Sequence, residues 1–205
     1  GVFALIAYSA SVLGYDLIAK LGAYVLLVFG LCLFQVFVVF AIILKLTGNN
    51  LKSFYKNAAH VMLVAFSLSS SSATLPTTIA RAKKMGINEA TRSFVLPLGS
   101  TINMNGSAIH QAVAAVFVSQ IIGYHLDWSH YIILLVTTVV SAIGTAGVPG
   151  VGLIMMTIIF NAIGLPIEGI AIVAGVDRIL DMTRTAVNVI GDLMVARIIS
   201  TQESK

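Results

Sequence analysis

The chain is short of charge and of cysteine, and each shortage excludes something. Only 10% of its 205 residues are Asp, Glu, Lys or Arg, where a soluble domain carries about 25%, so an ordinary water-soluble globular fold is excluded. The net charge of +4 sits in short connecting stretches and not in a basic stripe interleaved with aromatics, which argues against a nucleic-acid partner. The single cysteine, Cys32, rules out an intrachain disulfide and reads as a small core residue. No His, Cys and carboxylate spacing suggests zinc. The opening GVFALIAYSA lacks a Met, a basic n-region and a small-residue cleavage site. It reads as a cut through an apolar helix of a longer protein rather than as a signal peptide.

What the chain has is apolar length. It is 58% hydrophobic with a mean hydropathy of +0.99, which places it among integral membrane proteins. Residues 21–44 carry no charge and exceed the roughly 20 apolar residues that cross a bilayer core as a helix. Further apolar segments run over 2–14, 58–80, 94–122, 131–163 and 167–199. Two of them are interrupted at their middles, by SLSSSSATLPTT (67–78) and by SAIGTAGVPG (141–150). Runs of Ser, Gly and Pro break helices, and broken backbone at membrane depth is tolerated only where protein or a cavity surrounds it.

Charge placement separates a spanning segment from one that turns back. Lys45, Lys52 and Lys56 precede the first interrupted segment; Arg81, Lys83, Lys84 and Arg92 follow it, against one Glu89. Both loops, 45–56 and 81–92, are therefore expected in the cytoplasm. The segment between them is expected to enter and leave on one side, as a hairpin with arms about half a bilayer long. The stretches flanking the second interrupted segment, 123–130 and 164–169, contain no Lys or Arg, so that hairpin is expected to enter from outside. Two ordinary helices with mid-span kinks are the competing reading, and they would place the basic loops on opposite faces. Paired interrupted segments are a sequence pointer to a mid-membrane transporter site. The fold expected is all-α, with transmembrane helices and two oppositely oriented re-entrant hairpins in an inverted repeat.

The last segment holds DRILDMTRTAVNVIGD (177–192). On a helix, Asp177, Asp181, Arg184, Asn188 and Asp192 fall within an arc of roughly 80°, while Arg178 and Met182 point away. An ionisable side chain at mid-bilayer costs roughly 2.5–3.5 kcal/mol on insertion scales, so this stripe needs partners. It either glues helices through pairs such as Asp181 with Arg184 or forms a binding face. In the second case Arg184 offers a fork for a carboxylate, Asp181 a partner for an ammonium, and Asp192 a hard oxygen ligand for a small cation. A second polar strip is PLGSTINMNGSAIHQ (97–111), where Pro97, Gly99 and Gly106 weaken the helix and Asn103, Asn105 and Ser107 lie near mid-membrane. Unwound backbone there coordinates a cation; interhelical hydrogen bonding is the alternative. His60, His125 and His130 lie near segment ends, and His110 lies inside a span as a satisfied buried histidine.

At these residues the sequence resembles the glutamate transporter family, the dicarboxylate/amino acid:cation symporters. SSSSATLP (69–76), TINMNGS (101–107), GTAGVPG (144–150) and DRILDMTRTAVNVIGD (177–192) occur in the family's order. The resemblance runs the length of the chain and corresponds to the family's C-terminal half. It implies residues 1–20 as the end of a scaffold helix and its loop, and residues 21–205 as a transport domain. Within that domain it implies a helix at 21–46, a first hairpin at 53–84, a broken helix at 88–123, a second hairpin at 129–164 and a last helix at 167–199. Family members are homotrimers in a cell membrane that move substrate by sliding the transport domain against a fixed scaffold, with the second hairpin as outer gate. The C-terminus is then cytoplasmic, and this half alone is not expected to transport.

The resemblance also implies roles. Ser70, Ser71, Ser107, Val148, Gly152, Asp181, Arg184, Thr185 and Asn188 match substrate positions. One sodium site corresponds to Gly99, Asn103, Asn188 and Asp192, a second to backbone at Thr101, Ala142, Ile143 and Thr145. A third, at Asn103 and Asn105, is weakened because Asn105 replaces the family's aspartate. Gln111 stands where proton- and potassium-coupled relatives carry Glu. Ser69 occupies a position that is Arg in some relatives, and no compensating Arg appears at Met182. The expected activity is sodium-coupled uptake of an acidic amino acid, with no enzyme chemistry and no organic cofactor. Proton coupling, or a C4-dicarboxylate substrate, is the alternative within the family. Outside it, an ion channel and an intramembrane aspartyl protease are the competitors; the latter needs a GxGD that Val189-Ile190-Gly191-Asp192 lacks, and its other aspartate, Asp16, falls in an expected loop.

Overall fold

The computed structural model describes residues 2–203, and side-chain surroundings from Asp16 onward. Among the described residues every regular element is helical. The order is α1 (Val2–Phe34), a π-helical turn (Gln35–Val39), α2 (Phe40–Leu46), α3 (Leu51–Leu68), α4 (Ser71–Lys84), α5 (Glu89–Ile102), α6 (Asn105–Ile121), α7 (Trp128–Gly144), α8 (Val151–Ala162), a 3₁₀ turn (Ile167–Gly169), α9 (Ile170–Ala174) and α10 (Asp177–Glu203).

Two expectations are corrected here. No loop separates residues 1–20 from the first long helix, because α1 runs unbroken from Val2. Leu17, Leu21, Tyr24 and Val28 recur at helical spacing on its buried side, and nothing between them breaks a helix. The last helix does not run continuously from residue 167: it is interrupted at Gly175 and Val176, after which Asp177 opens α10.

Among the described residues one run, Asp16–Leu46, is long and apolar enough to cross a membrane, with 31 residues and a hydropathy of 2.9. The π turn lies inside it. A π-helical bulge disturbs the regular backbone ladder, and the Val36 carbonyl there accepts a hydrogen bond from the Tyr55 hydroxyl at 2.5 Å.

The two interrupted segments fold as helical hairpins, α3 with α4 and α7 with α8. Their arms are longer than half a bilayer: α3 has 18 residues, or about 27 Å. The excess reflects polar ends, since Lys52, Lys56 and Arg81 belong to α3 and α4. The first hairpin turns on Ser69, in the left-handed region at φ 51°, followed by Ser70, whose side chain caps α4 by accepting from the Ala73 amide at 3.1 Å. A serine cap of this kind contributes about 1 kcal/mol. The second hairpin turns through residues 145–150 and restarts after Gly150, at φ 79°.

The tips meet. Ser70 Oγ donates to the Gly147 carbonyl at 2.6 Å, and the Ser72 amide donates to the same oxygen at 3.1 Å. Gly147 is required by this contact: a Cβ there would lie 2.7 Å from Ser72 Oγ and 2.9 Å from the Ser100 carbonyl oxygen of α5.

α10 is the centre of the molecule. It packs on α1, α3, α4, α5 and α6, and the run from Thr183 to Met194 is buried on every side. An apolar exterior with one polar edge, as its sequence suggests, is therefore not what forms; exposure returns at Arg178 and Ile179. Large apolar side chains lie exposed elsewhere, among them Leu26 on α1, Leu135 on α7 and Ile154 on α8. At the other end of α10, Arg197 donates to Asn49 Oδ1 and to the Met85 carbonyl, and Glu203 accepts from Asn88 and Thr91, which tie the loops around α3–α4 to this helix. Those two donors hold the Glu203 carboxyl below the usual carboxylate range.

Candidate functional site

A narrow cleft of about 10 Å³, room for about one water, lies between the hairpin tips, the α5–α6 break and α10. Of the expected substrate positions, Ser71, Ser107, Val148, Gly152, Asp181, Arg184, Thr185 and Asn188 line it. Ser70 does not: its hydroxyl is spent on the opposite tip. Ser69 takes that place, buried and with its Oγ lacking a hydrogen-bond partner among the described residues. The left-handed turn at Ser69 decides which serine faces the cleft, and a run of identical residues carries no sign of where that turn falls.

The α5–α6 break falls at Asn103 and Met104, not at Pro97, which sits within α5. The break is fastened to α10. The Gly106 amide donates to Asn188 Oδ1 at 2.7 Å, and Asn188 Nδ2 donates to Ser107 Oγ at 3.1 Å. Gly106 lies so near α10 that a Cβ would come 2.7 Å from the Arg184 Cα.

Arg184 is not an open fork. Its Nε donates to Asp181 Oδ1 at 3.0 Å, and Nη2 lies 2.9 Å from the same oxygen. Nη1 donates to Asp177 Oδ1 at 3.1 Å and meets His110 Nδ1 at 2.6 Å. Asp181 uses its other oxygen to accept from the Gly150 amide at 3.0 Å, which ties the second hairpin to the charged stripe. Asp177 is thus engaged through Oδ1, whereas Arg178 is exposed. The part of His110 in holding Arg184 was missed from sequence; its spacing on the face of Asn103 was the available signal.

The first expected cation site comes together around Asp192. This carboxylate is 3% exposed. Among the described residues it meets one side-chain donor, Asn103 Nδ2 at 3.0 Å. Gly99 lies against it, since a Cβ there would sit 2.6 Å from Oδ1. Asn188 is one helical turn away and engaged with Gly106 and Ser107. Asn105 Nδ2 donates to Asn103 Oδ1 at 2.7 Å, so the third expected site holds two amides and no carboxylate of its own. For the second, Thr101 is in the last turn of α5, Ala142 and Ile143 in the last turn of α7, and Thr145 just beyond; α5 and α7 pack together. Among the described residues no group of three or more His, Cys, Asp or Glu side chains could hold a metal ion, so a cation here relies on carbonyls, amides and Asp192. A buried carboxylate with a single neutral donor fits that chemistry.

The model of the sodium:dicarboxylate symporter family matches residues 1–202. A proton/sodium-glutamate symport protein of Bacillus caldotenax is 40% identical over 205 residues, which is 100% of this chain and 49% of that protein. The proton/glutamate-aspartate symporter of Escherichia coli K12 is 38% identical over 205 residues, 100% of this chain and 47% of its own. Human excitatory amino acid transporter 5 is 39% identical over 183 residues, 88% of this chain and 33% of its own. The chain spans about half the length of the curated relatives it matches. With the motifs, the cleft and a match over nearly its whole length in agreement, the chain belongs to the sodium:dicarboxylate symporter family.

Proposed function

We propose that this chain supplies the substrate- and ion-binding half of a secondary active symporter that takes up aspartate or glutamate with sodium across a cell membrane. One observation carries the reading: the buried Asp181–Arg184 pair, facing a hydroxyl-lined cleft closed by both hairpin tips. In low dielectric, neither charge can be left alone. An acidic amino acid brings an ammonium for Asp181 and a side-chain carboxylate for Arg184, so the internal pair is exchanged for two external ones, and its α-carboxylate falls to the hydroxyl donors of the cleft. A plain dicarboxylate would face Asp181 with a like charge, which disfavours it.

Sodium coupling rests on Asp192 and the α5–α6 break. A cation bound by Asp192, Asn103 and nearby carbonyls at Gly99 would stiffen the same backbone that holds Asn188 and Ser107 toward the cleft. Cation and substrate then bind with mutual positive linkage. Within this reading the two hairpins are re-entrant from opposite faces, loops 45–56 and 81–92 and the C-terminus are cytoplasmic, and the second hairpin is the outer gate. The protein is a homotrimer whose transport half moves against a scaffold. The exposed apolar surface of α1, α7 and α8 supports burial against lipid or that scaffold.

The test is uptake of labelled aspartate by the full-length protein in proteoliposomes under an inward sodium gradient, competed with glutamate and succinate. Arg184→Cys should abolish uptake of acidic substrate; unchanged uptake refutes the assignment. Aspartate affinity independent of sodium would sink sodium coupling and favour proton coupling instead, a reading to which the names of two relatives lend support.

A further inference from the structure

We infer that His110 is a positioning residue for Arg184, holding one nitrogen of the guanidinium while the opposite edge is exchanged from Asp181 to the substrate. The inference rests on the reading above of Arg184 as the partner of the substrate carboxylate.

The hydrogen-bond chemistry of the pair is constrained. A guanidinium has five N–H donors and no acceptor. His110 Nδ1, at 2.6 Å from Arg184 Nη1, must therefore be the unprotonated, accepting nitrogen, and the ring proton is on Nε2. Among the described residues Nε2 has no hydrogen-bond partner, and it lies 3.8 Å from Asp177 Oδ1. The ring is fully buried and tilted against Tyr24, centroids 6.2 Å apart; Tyr24 in turn stacks on Phe117 at 4.7 Å. The accepting nitrogen is consequently fixed in position, not free to rotate with solvent.

The two ends of the guanidinium are held by different partners. Nη1 is held by His110 and Asp177, while Nε and Nη2 face Asp181. When a substrate carboxylate displaces Asp181, it takes the Nε–Nη2 edge, a planar fork suited to bidentate binding. The Nη1 end then stays seated and keeps the fork aimed at the cleft. Asp177 alone would leave one Nη1 proton without a fixed acceptor in a buried site. A carboxylate at position 110 would satisfy that proton but set a third anion against one guanidinium, on top of Asp177 and Asp181. A neutral imidazole supplies the acceptor without that charge. From the other packed elements, Tyr24 and Cys32 of α1 approach this group, and α8 and α9 present no ionisable side chain.

The experiment compares wild type, His110→Phe and His110→Gln as full-length protein in proteoliposomes, with aspartate KM and maximal rate measured separately. Phe keeps an aromatic volume and removes the acceptor; Gln restores an acceptor oxygen. Loss of an acceptor for a charged donor is expected to raise the aspartate KM about 10- to 100-fold in His110→Phe, with the maximal rate far less affected. His110→Gln should recover most of that loss. A His110→Phe KM within about 3-fold of wild type, smaller than the loss of a charged hydrogen bond, overturns the inference. So does a Gln variant as weak as Phe, which would mean that an acceptor at position 110 does not restore substrate binding. Independently of how the variants fold, nitrogen NMR of histidine-labelled wild type should show the Nε2-protonated tautomer for His110; an Nδ1-protonated ring overturns the inference. If wild type takes up no acidic amino acid, the underlying reading fails, and the tautomer still reports on the His110–Arg184 contact by itself.

Discussion

Gly152→Ala tests the cleft at its tightest point. Gly152 is the second residue of α8, and a Cβ built on it would lie 2.5 Å from both Nη1 and Nη2 of Arg184 and 2.6 Å from Cζ. Ordinary contact is roughly 3.5–4.0 Å, so the guanidinium must retreat by about 1 Å. Retreat is opposed by its bonds of 3.0 Å to Asp181, 3.1 Å to Asp177 and 2.6 Å to His110. Stretching one charge-assisted bond in a buried site forfeits about 1.5–3 kcal/mol. Backbone strain does not confuse the outcome, since a helical Gly→Ala change is by itself favourable by roughly 0.5–1 kcal/mol. The expected result is a 10- to 100-fold weaker aspartate affinity, about 1.4–2.8 kcal/mol, by isothermal titration of full-length protein. Gly22→Ala is the control, because nothing lies within 4 Å of a Cβ there. Aspartate affinity unchanged by Gly152→Ala would show that Arg184 is free to move, and the picture of a braced guanidinium would be wrong.

Three further outcomes follow from other parts of the molecule. Asn105→Asp places a carboxylate beside Asn103 and is expected to tighten sodium binding and steepen the sodium dependence of uptake, read as the Hill slope against the parent; an unaltered slope removes the third site from consideration. Ser70→Ala removes both the α4 cap and the bond to the Gly147 carbonyl and should destabilise by about 1–2 kcal/mol, read as faster hydrogen exchange at Ser72 and Ala73. Asp127 caps α7 through Ser129 and His130, and these hydrogen bonds, that of the Ser129 hydroxyl foremost, hold its carboxyl below the usual range. A depressed native value means that the cap's stabilisation is complete above the unfolded value, near pH 4, and is lost as pH falls through the native one. Exchange at the amides of Ser129 and His130 should accelerate only at acid pH, and Asp127→Asn should flatten that profile.

The interrupted segments were legible because Ser, Gly and Pro clusters stand out against apolar runs, and the stripe on α10 because helical spacing alone puts its members on one side. Directions were less legible. That Ser69 and Ser71 line the cleft while Ser70 turns to the opposite tip depends on a single left-handed φ. Asp181 and Arg184 were readable as a helix pair or as two ligand-binding groups, and the structure joins them as a pair. The burial of α10 on all sides was hidden because it arises from long-range packing, while its own sequence is mixed. The break at Gly175 was hidden for a similar reason: one glycine within an apolar stretch is compatible with a continuous helix. His110 resembled any buried histidine until an arginine with no acceptor of its own fixed its tautomer.

The Gly147 carbonyl accepts from both Ser70 Oγ and the Ser72 amide. A single oxygen is thus the hinge pin of two separate chain turns. The second tip cannot loosen residue by residue; leaving means surrendering both bonds together, about 1–3 kcal/mol in sum, and the first tip loses its clasp in the same instant. Movement at either tip is therefore reported to the other without any intermediary, and a label on one hairpin should sense events on its counterpart.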